Sequence, residues 1–215
     1  MKRKLEKIFK RLYSVFGQQY WWPADSAFEV IIGAILTQNT NWSNVQKAIL
    51  ALKKRKLLTA PKLYQLSPKQ LADLIRSAGY YNIKAARIKN FLEFFFQRYA
   101  GKIKLMAAGN WQALRVELLT VKGVGPETAD SILLYALNKP VFVVDAYTKR
   151  IFSRHGLIEP EADYSQLQGI FMRHLKNNVK LFNQYHALLV KLGKDYCRKQ
   201  NPKCEICPLW STKNA

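Results

Sequence analysis

Apolar residues recur every three or four positions along almost the whole chain, which is the pattern of amphipathic helices that pack one face against a core. The first such helix ends before Pro23, because proline disfavours the helical conformation in the residue that precedes it. The pattern predicts helices over residues 5–16, 26–36, 43–54, 67–78, 83–99, 111–119, 126–138, 145–155, 165–176 and 179–192. No stretch alternates as a strand would, so the predicted fold class is all-α.

Two of the helix starts carry a capping-box signal, in which a hydroxyl side chain precedes Glu or Gln by three positions. Ser26 with Glu29 opens the strongly apolar second helix, and Ser67 with Gln70 opens a later one. Each pair is expected to bond side chain to backbone in both directions.

The net charge indicates which kind of molecule the protein binds. The 215 residues include 35 Lys and Arg against 14 Asp and Glu, for a formal net charge of +21. This imbalance excludes an acidic or charge-balanced protein and favours a polyanion, either nucleic acid or an anionic membrane surface. An apolar content of 49% with a mean hydropathy of −0.19 is typical of a soluble globular chain.

Two further features bear on location. The longest apolar run, residues 30–36, is far shorter than the roughly 18 residues of a membrane span, and residues 1–11 lack the apolar core of a secretory signal. The three cysteines all follow residue 196, which favours a local metal site in a reducing compartment over a disulfide framework. We therefore expect a cytoplasmic, nucleoid-associated protein that does not enter a membrane.

Residues 118–129 carry a tight Gly-x-Gly turn between two predicted helices. Gly123 and Gly125 permit a positive φ and a close backbone approach, and the turn groups backbone N–H donors that can bind a phosphate oxygen. The same turn can instead serve only as a helix cap. The charge of +21 favours the phosphate interpretation.

Asp145 follows a short apolar stretch and begins a predicted helix. Aspartate is among the best N-cap residues. A carboxylate beside a nucleic-acid-binding hairpin can also activate water or stabilise a cationic sugar transition state, as carboxylates do in glycoside hydrolysis. The two roles are compatible.

The order of hairpin, Gly/Pro loop, aspartate and Cys-rich tail resembles the endonuclease III superfamily of helix-hairpin-helix DNA glycosylases. The matching segments are residues 36–40, 122–129 and 143–145, together with Cys197, Cys204 and Cys207. The resemblance implies two helical lobes: a six-helix barrel with the hairpin over residues 24–139, and a lobe with a Cys loop from residues 1–23 and 140–215. It also implies a monomer that acts on double-stranded damaged DNA, with Asp145 as the catalytic residue.

The resemblance assigns binding residues as well. The DNA-binding set that it implies is Gln38, Lys122, Gly123, Val124, Gly125 and Thr128. Gln38 is expected to fill the gap left by a flipped nucleotide, with a helix cap as the alternative. Trp21, Trp22, Pro23 and Trp42 are expected to line the pocket for the flipped base, with core packing as the alternative for the Trp pair.

Two departures from the family pattern select a subtype. Glu127 stands where bifunctional members have the lysine that forms a Schiff base, and a carboxylate cannot form an imine. A monofunctional enzyme without AP lyase activity is therefore expected, with Lys122 as the fallback amine. Ala34 stands where the adenine glycosylases have a catalytic Glu, which excludes that subtype. What remains is similar to the 3-methyladenine glycosylases, whose alkylated base is already cationic.

The cysteine tail departs from the family in its last ligand. Family members bind a [4Fe–4S] cluster with four cysteines, of which Cys197, Cys204 and Cys207 match three. The fourth position is Lys213. A cluster, zinc on three cysteines and a loop without metal are all open interpretations.

Other functions stay open on the sequence. One is an endonuclease III-like glycosylase and AP lyase for oxidised pyrimidines, a second is a glycosylase for thymine or uracil in G mispairs, and a third is a non-catalytic DNA-binding module. His155, His174 and His186 lack mutual ligand spacing and are predicted to be polar residues on helix faces.

Overall fold

The structure, a computed structural model, describes residues 1–210. This part of the chain is helical and contains no β-strand, so the predicted all-α class is confirmed. None of its helices combines the length and apolar character that a membrane crossing requires. The helices are α1 (Lys2–Phe16), α2 (Ala27–Leu36), α3 (Trp42–Lys54), α4 (Ala60–Gln65), α5 (Pro68–Leu74), α6 (Tyr81–Tyr99), α7 (Ile103–Ala108), α8 (Trp111–Thr120), α9 (Pro126–Ser131), α10 (Ala146–Arg154), α11 (Tyr164–His174) and α12 (Val179–Asp195).

Helix boundaries depart from the prediction in two ways. The short helices α4 and α7 have no counterpart in it, because six residues are too few to show a helical repeat. The helix predicted to run from Pro126 to residue 138 is α-helical only as far as Ser131 and continues as a π-helical turn, Ile132–Ala136. Most other ends lie within a few residues of the predicted ones.

The two predicted capping boxes have different outcomes. At α5 the box is complete: Gln70 N–H donates to the Ser67 hydroxyl, and Ser67 N–H donates to the Gln70 side chain. At α2 only half of it forms, since the Ser26 hydroxyl accepts from Glu29 N–H at 3.1 Å. The Glu29 carboxylate accepts instead from Asp25 N–H and pairs with Lys53 at 2.7 Å, because a buried carboxylate gains more from a cation than from a second amide.

The chain divides into two compact units. Ala24–Lys139, here called the hairpin unit, is built around α2. Every residue of α2 except Ala27 is buried, so the helix is surrounded by its neighbours instead of lying on a surface. Phe91 and Phe95 of α6 extend this core, with ring centroids 5.5 Å apart.

Met1–Pro23 with Pro140–Ala215, here called the terminal unit, joins both ends of the chain. α1 and α10 both pack on α12. Phe142 stacks on Phe171 with ring centroids 3.7 Å apart, and Tyr185 of α12 donates its hydroxyl to the Leu5 carbonyl of α1 at 2.9 Å. This aromatic core supports the loop that ends in Asp145.

Candidate functional site

The hairpin connects α8 to α9 through residues 121–125. Gly123 has a φ of +94°, a conformation that side chains rarely adopt. A Cβ at this position would also lie 2.3 Å from Cγ of Arg87. Glycine is therefore favoured here both by the backbone conformation and by the lack of space for a side chain. Lys122 and Gly125 are exposed and Val124 is buried. The Val124 side chain therefore anchors the turn in the core, while the Gly125 backbone and the Lys122 ammonium group face solvent.

Gln38 braces this turn from the end of α2. Its amide nitrogen donates to the Gly123 carbonyl and to the Thr128 hydroxyl, each at 2.9 Å. Its amide oxygen accepts from Arg87 of α6. Both ends of the amide are bonded inside the protein, so Gln38 braces the hairpin in this structure, and its expected role in filling a gap in DNA stays a prediction.

Two more contacts hold the hairpin. Asn90 donates to the Lys122 carbonyl at 3.0 Å. Arg115 of α8 makes a bidentate pair with Asp130 of α9, at 2.6 and 3.0 Å, and the Asp130 side chain is fully buried. The two helices that flank the turn are therefore tied to each other as well as to α6.

Asp145 lies in the terminal unit as the N-cap of α10. Its Oδ1 accepts from the Thr148 N–H at 2.7 Å and from the Thr148 hydroxyl at 2.8 Å. Its side chain is only 11% exposed. The cap occupies one carboxylate oxygen and leaves Oδ2 for other chemistry.

Oδ2 of Asp145 faces His186, whose Nε2 lies 3.6 Å away on α12. Burial has the largest single effect on the pKa of Asp145, and it raises that pKa. His186 and the two Thr148 donors together outweigh burial, so the pKa of Asp145 ends below its ordinary value. Asp145 is thus an ionised carboxylate in a nearly water-free position.

The expected base-pocket residues fall in both units. Trp21, Trp22 and Pro23 belong to the terminal unit and Trp42 to the hairpin unit. Trp21 and Trp22 are half-buried, with ring centroids 5.3 Å apart and planes at 51°. Rings this close are in direct contact, so no base fits between the two of them, and the pair can serve only as one wall of a pocket.

The Cys loop is held by α10. Arg150 donates to the carbonyls of Cys197 and Gly193, and Arg154 donates to the Cys197 sulfur at 3.5 Å. Cys197 is buried, Cys204 is exposed, and burial raises the pKa of the half-buried Cys207. Within residues 1–210 no three His, Cys, Asp or Glu side chains are grouped as metal ligands, and Lys213 lies outside the described residues. The cluster therefore stays a prediction, and no step below uses it.

Two residues of the site, His186 and Arg87, lie elsewhere than the sequence predicts or are not predicted at all. His186 is buried beside Asp145, which corrects its prediction as a helix-face residue. Its position next to Phe182, Tyr185 and Leu189 on the apolar face of α12 was an available signal. Arg87 is absent from the predicted DNA-binding set, and nothing in its neighbouring sequence marks it as a partner of the hairpin.

Fold and site together define an all-helical protein with a glycine hairpin between two helices and an aspartate at a helix N-cap. A family model described as HhH-GPD superfamily base excision DNA repair protein matches residues 32–177. A protein of Methanocaldococcus jannaschii whose name places it among the DNA repair glycosylases is 48% identical over 205 residues, covering 94% of this chain and 92% of that protein. The chain belongs to the HhH-GPD superfamily of base excision DNA repair glycosylases.

Three further proteins are similar to the chain in sequence or in fold. Endonuclease III of Thermotoga maritima is 30% identical over 187 residues, covering 84% of this chain and 79% of that enzyme. The Helicobacter pylori 3-methyladenine DNA glycosylase bound to 1,N6-ethenoadenine aligns with a TM-score of 0.77 and 29% identity, over 89% of this chain and 97% of that one. A trapped endonuclease III–DNA covalent intermediate aligns with a TM-score of 0.83 and 22% identity, over 97% and 93%, and shares the fold.

Proposed function

We propose that the chain is a monofunctional DNA N-glycosylase that removes an alkylated purine and leaves an abasic site with the backbone intact. The observation that carries this proposal is Asp145, an ionised and nearly buried carboxylate with one oxygen fixed by the helix cap. The likeness to a 3-methyladenine glycosylase, at 29% identity, supports the choice of base.

In the proposed mechanism the hairpin binds the backbone of double-stranded damaged DNA. Lys122 and the exposed Gly125 backbone meet phosphates, and Gln38 and Thr128 keep the turn in shape. Val124 anchors the turn in the core. The damaged nucleotide leaves the stack, and its base rests against the Trp21–Trp22 wall, where a cationic base gains from the aromatic face.

Asp145 then acts on the sugar. The bond from C1′ to the base nitrogen breaks with its electron pair going to the base, and the carboxylate stabilises the oxocarbenium-like sugar. A water oxygen bonds to C1′, and Oδ2 of Asp145 accepts the water proton. Glu127, exposed in the first turn of α9, offers no amine for a Schiff base, so strand cleavage is not part of the reaction.

We also propose that the hairpin unit corresponds to the six-helix barrel of the family and that the terminal unit corresponds to its second lobe with the Cys loop. The protein is proposed to act as a monomer in the cytoplasm. Sedimentation with and without a DNA duplex tests the monomer. Absorbance of the purified protein near roughly 400 nm, where iron–sulfur proteins absorb, tests the cluster.

The test of the proposed reaction compares wild type with Asp145→Asn on duplexes that carry 3-methyladenine, 1,N6-ethenoadenine, an oxidised pyrimidine or a G·T mispair. We expect base release from the alkylated duplexes by wild type only, with equal binding of an abasic-site analogue by both proteins. Retained base release by Asp145→Asn would show that the carboxylate is not catalytic.

An endonuclease III-like lyase is the second candidate, favoured by the 30% identity to the Thermotoga maritima enzyme. Borohydride reduction during the reaction separates the two candidates, because it traps a Schiff base between an amine and the sugar. We expect no trapped adduct and no strand break in the absence of alkali. A high yield of adduct on the oxidised duplex would replace the monofunctional proposal with the lyase.

A further inference from the structure

We propose that His186 is a positioning residue for base release: its imidazole holds the Oδ2 oxygen of Asp145 toward the reacting sugar. This inference rests on the proposed catalytic role of Asp145. His186 is 41 residues away along the chain, on α12, and belongs to none of the motifs of the family resemblance.

The geometry distinguishes the two oxygens of the carboxylate. Oδ1 accepts hydrogen bonds from the Thr148 N–H at 2.7 Å and from the Thr148 hydroxyl at 2.8 Å, and both bonds belong to the helix cap. Oδ2 has His186 Nε2 at 3.6 Å. The side chains of His186 and Asp145 are 7% and 11% exposed, so water does little to screen one from the other. A separation slightly beyond hydrogen-bond length without DNA is the kind that tightens when substrate binds.

The imidazole is held firmly enough to orient its partner. Its ring meets the Phe142 ring edge-on, with centroids 6.4 Å apart and planes at 88°. α12 approaches α10 closely at Gly193, where a Cβ would lie 2.4 Å from the Tyr147 ring, and Arg150 bonds the Gly193 carbonyl at 3.1 Å. Because the two helices are tied in this way, Asp145 and His186 keep their spacing.

The influences on the pKa of Asp145 also support a positioning role for His186. His186 is the largest influence that lowers the pKa of Asp145, against burial, which raises it. The neighbouring Tyr185 is neutral, since burial raises its pKa well above the ordinary value, and its hydroxyl is bonded to Leu5. Removal of the imidazole takes away this lowering influence, so Asp145 would hold its proton to higher pH.

The experiment follows single-turnover base release against pH for wild type, His186→Leu and His186→Gln. Gln184→Leu is the matched control, because Gln184 is equally buried on α12 but bonds the Gly17 carbonyl and the Gln19 N–H. We expect the acidic limb of the rate profile to move upward by about one pH unit in His186→Leu, which is a tenfold loss on that limb. His186→Gln restores an N–H donor and should move the limb less. Gln184→Leu should leave its position unchanged.

Two outcomes would overturn the inference: an acidic limb at the wild-type pH in a folded His186→Leu protein, or an equal shift in Gln184→Leu. If His186→Leu does not fold, ring ¹⁵N NMR of the three histidines in wild type and Asp145→Asn replaces it. We expect the His186 Nε2 resonance to move and those of His155 and His174 to stay, whereas an unmoved His186 resonance contradicts the pairing. Failure of the proposed function is a separate result, namely base release by Asp145→Asn.

Discussion

Substitution of Gln38 by Ala tests how the hairpin is kept ready for DNA. The change removes two hydrogen bonds that the amide donates, to Gly123 and Thr128, and one that it accepts from Arg87. Each is worth about 0.5–1.5 kcal/mol net, and all three are partly open to water, so the ordered hairpin should lose roughly 2 kcal/mol relative to its loosened forms.

This loss appears as weaker DNA binding, because the turn must be reordered on each encounter. A penalty of roughly 2 kcal/mol corresponds to an affinity about 30-fold lower. The number of phosphates contacted does not change, so the slope of log affinity against log salt should equal that of wild type. Fluorescence polarisation with an undamaged duplex and with an abasic-analogue duplex, over a range of salt, measures both quantities.

Comparison of the two duplexes distinguishes bracing of the hairpin by Gln38 from direct contact between Gln38 and the DNA. A brace acts before any lesion is recognised, so Gln38→Ala should weaken binding to both duplexes by the same factor. A loss confined to the abasic duplex would mean that Gln38 fills the gap in DNA, and would refute the bracing argument. Thr128→Val removes one of the bonds and should cost about fivefold, while Thr120→Val, whose hydroxyl bonds within α8 to Glu117, should change nothing.

Two predictions concern stability in the hairpin unit. Asp130→Ala removes the buried partner of the Arg115 cation and should lower the free energy of unfolding by about 3–5 kcal/mol in urea titrations. Asp73→Asn, in the exposed pair with Arg76, should leave the free energy of unfolding close to that of wild type. Equal losses in the two variants would contradict the argument. Burial, with the nearby Arg87 charge, lowers the pKa of Lys84 to about 8. Above pH 8 the folded chain therefore binds fewer protons than the unfolded one, and wild type should gain stability relative to Lys84→Met as pH rises toward 10; a constant difference from pH 7 to 10 would show that Lys84 is not desolvated.

Local chemistry made much of the fold predictable. Helix positions follow from the spacing of apolar residues, and the Ser67–Gln70 cap and the positive φ of Gly123 each depend on a few neighbouring residues. The Asp145 N-cap is predictable for the same reason, since its partner Thr148 is three residues away. Where a distant group competes, local rules fail: Glu29 leaves its capping box for Lys53.

The sequence by itself determined most of the longer helices, the hairpin turn and the aspartate at the start of α10, because each rests on contacts within about one helical turn. Only the tertiary structure decided that Gln38 and Arg87 brace the hairpin and that His186 faces the Asp145 carboxylate. These partners are 41 to 90 residues apart, and helix spacing along the chain says nothing about which faces of distant helices meet. That choice is made by side-chain packing between helices, which depends on the whole core at once.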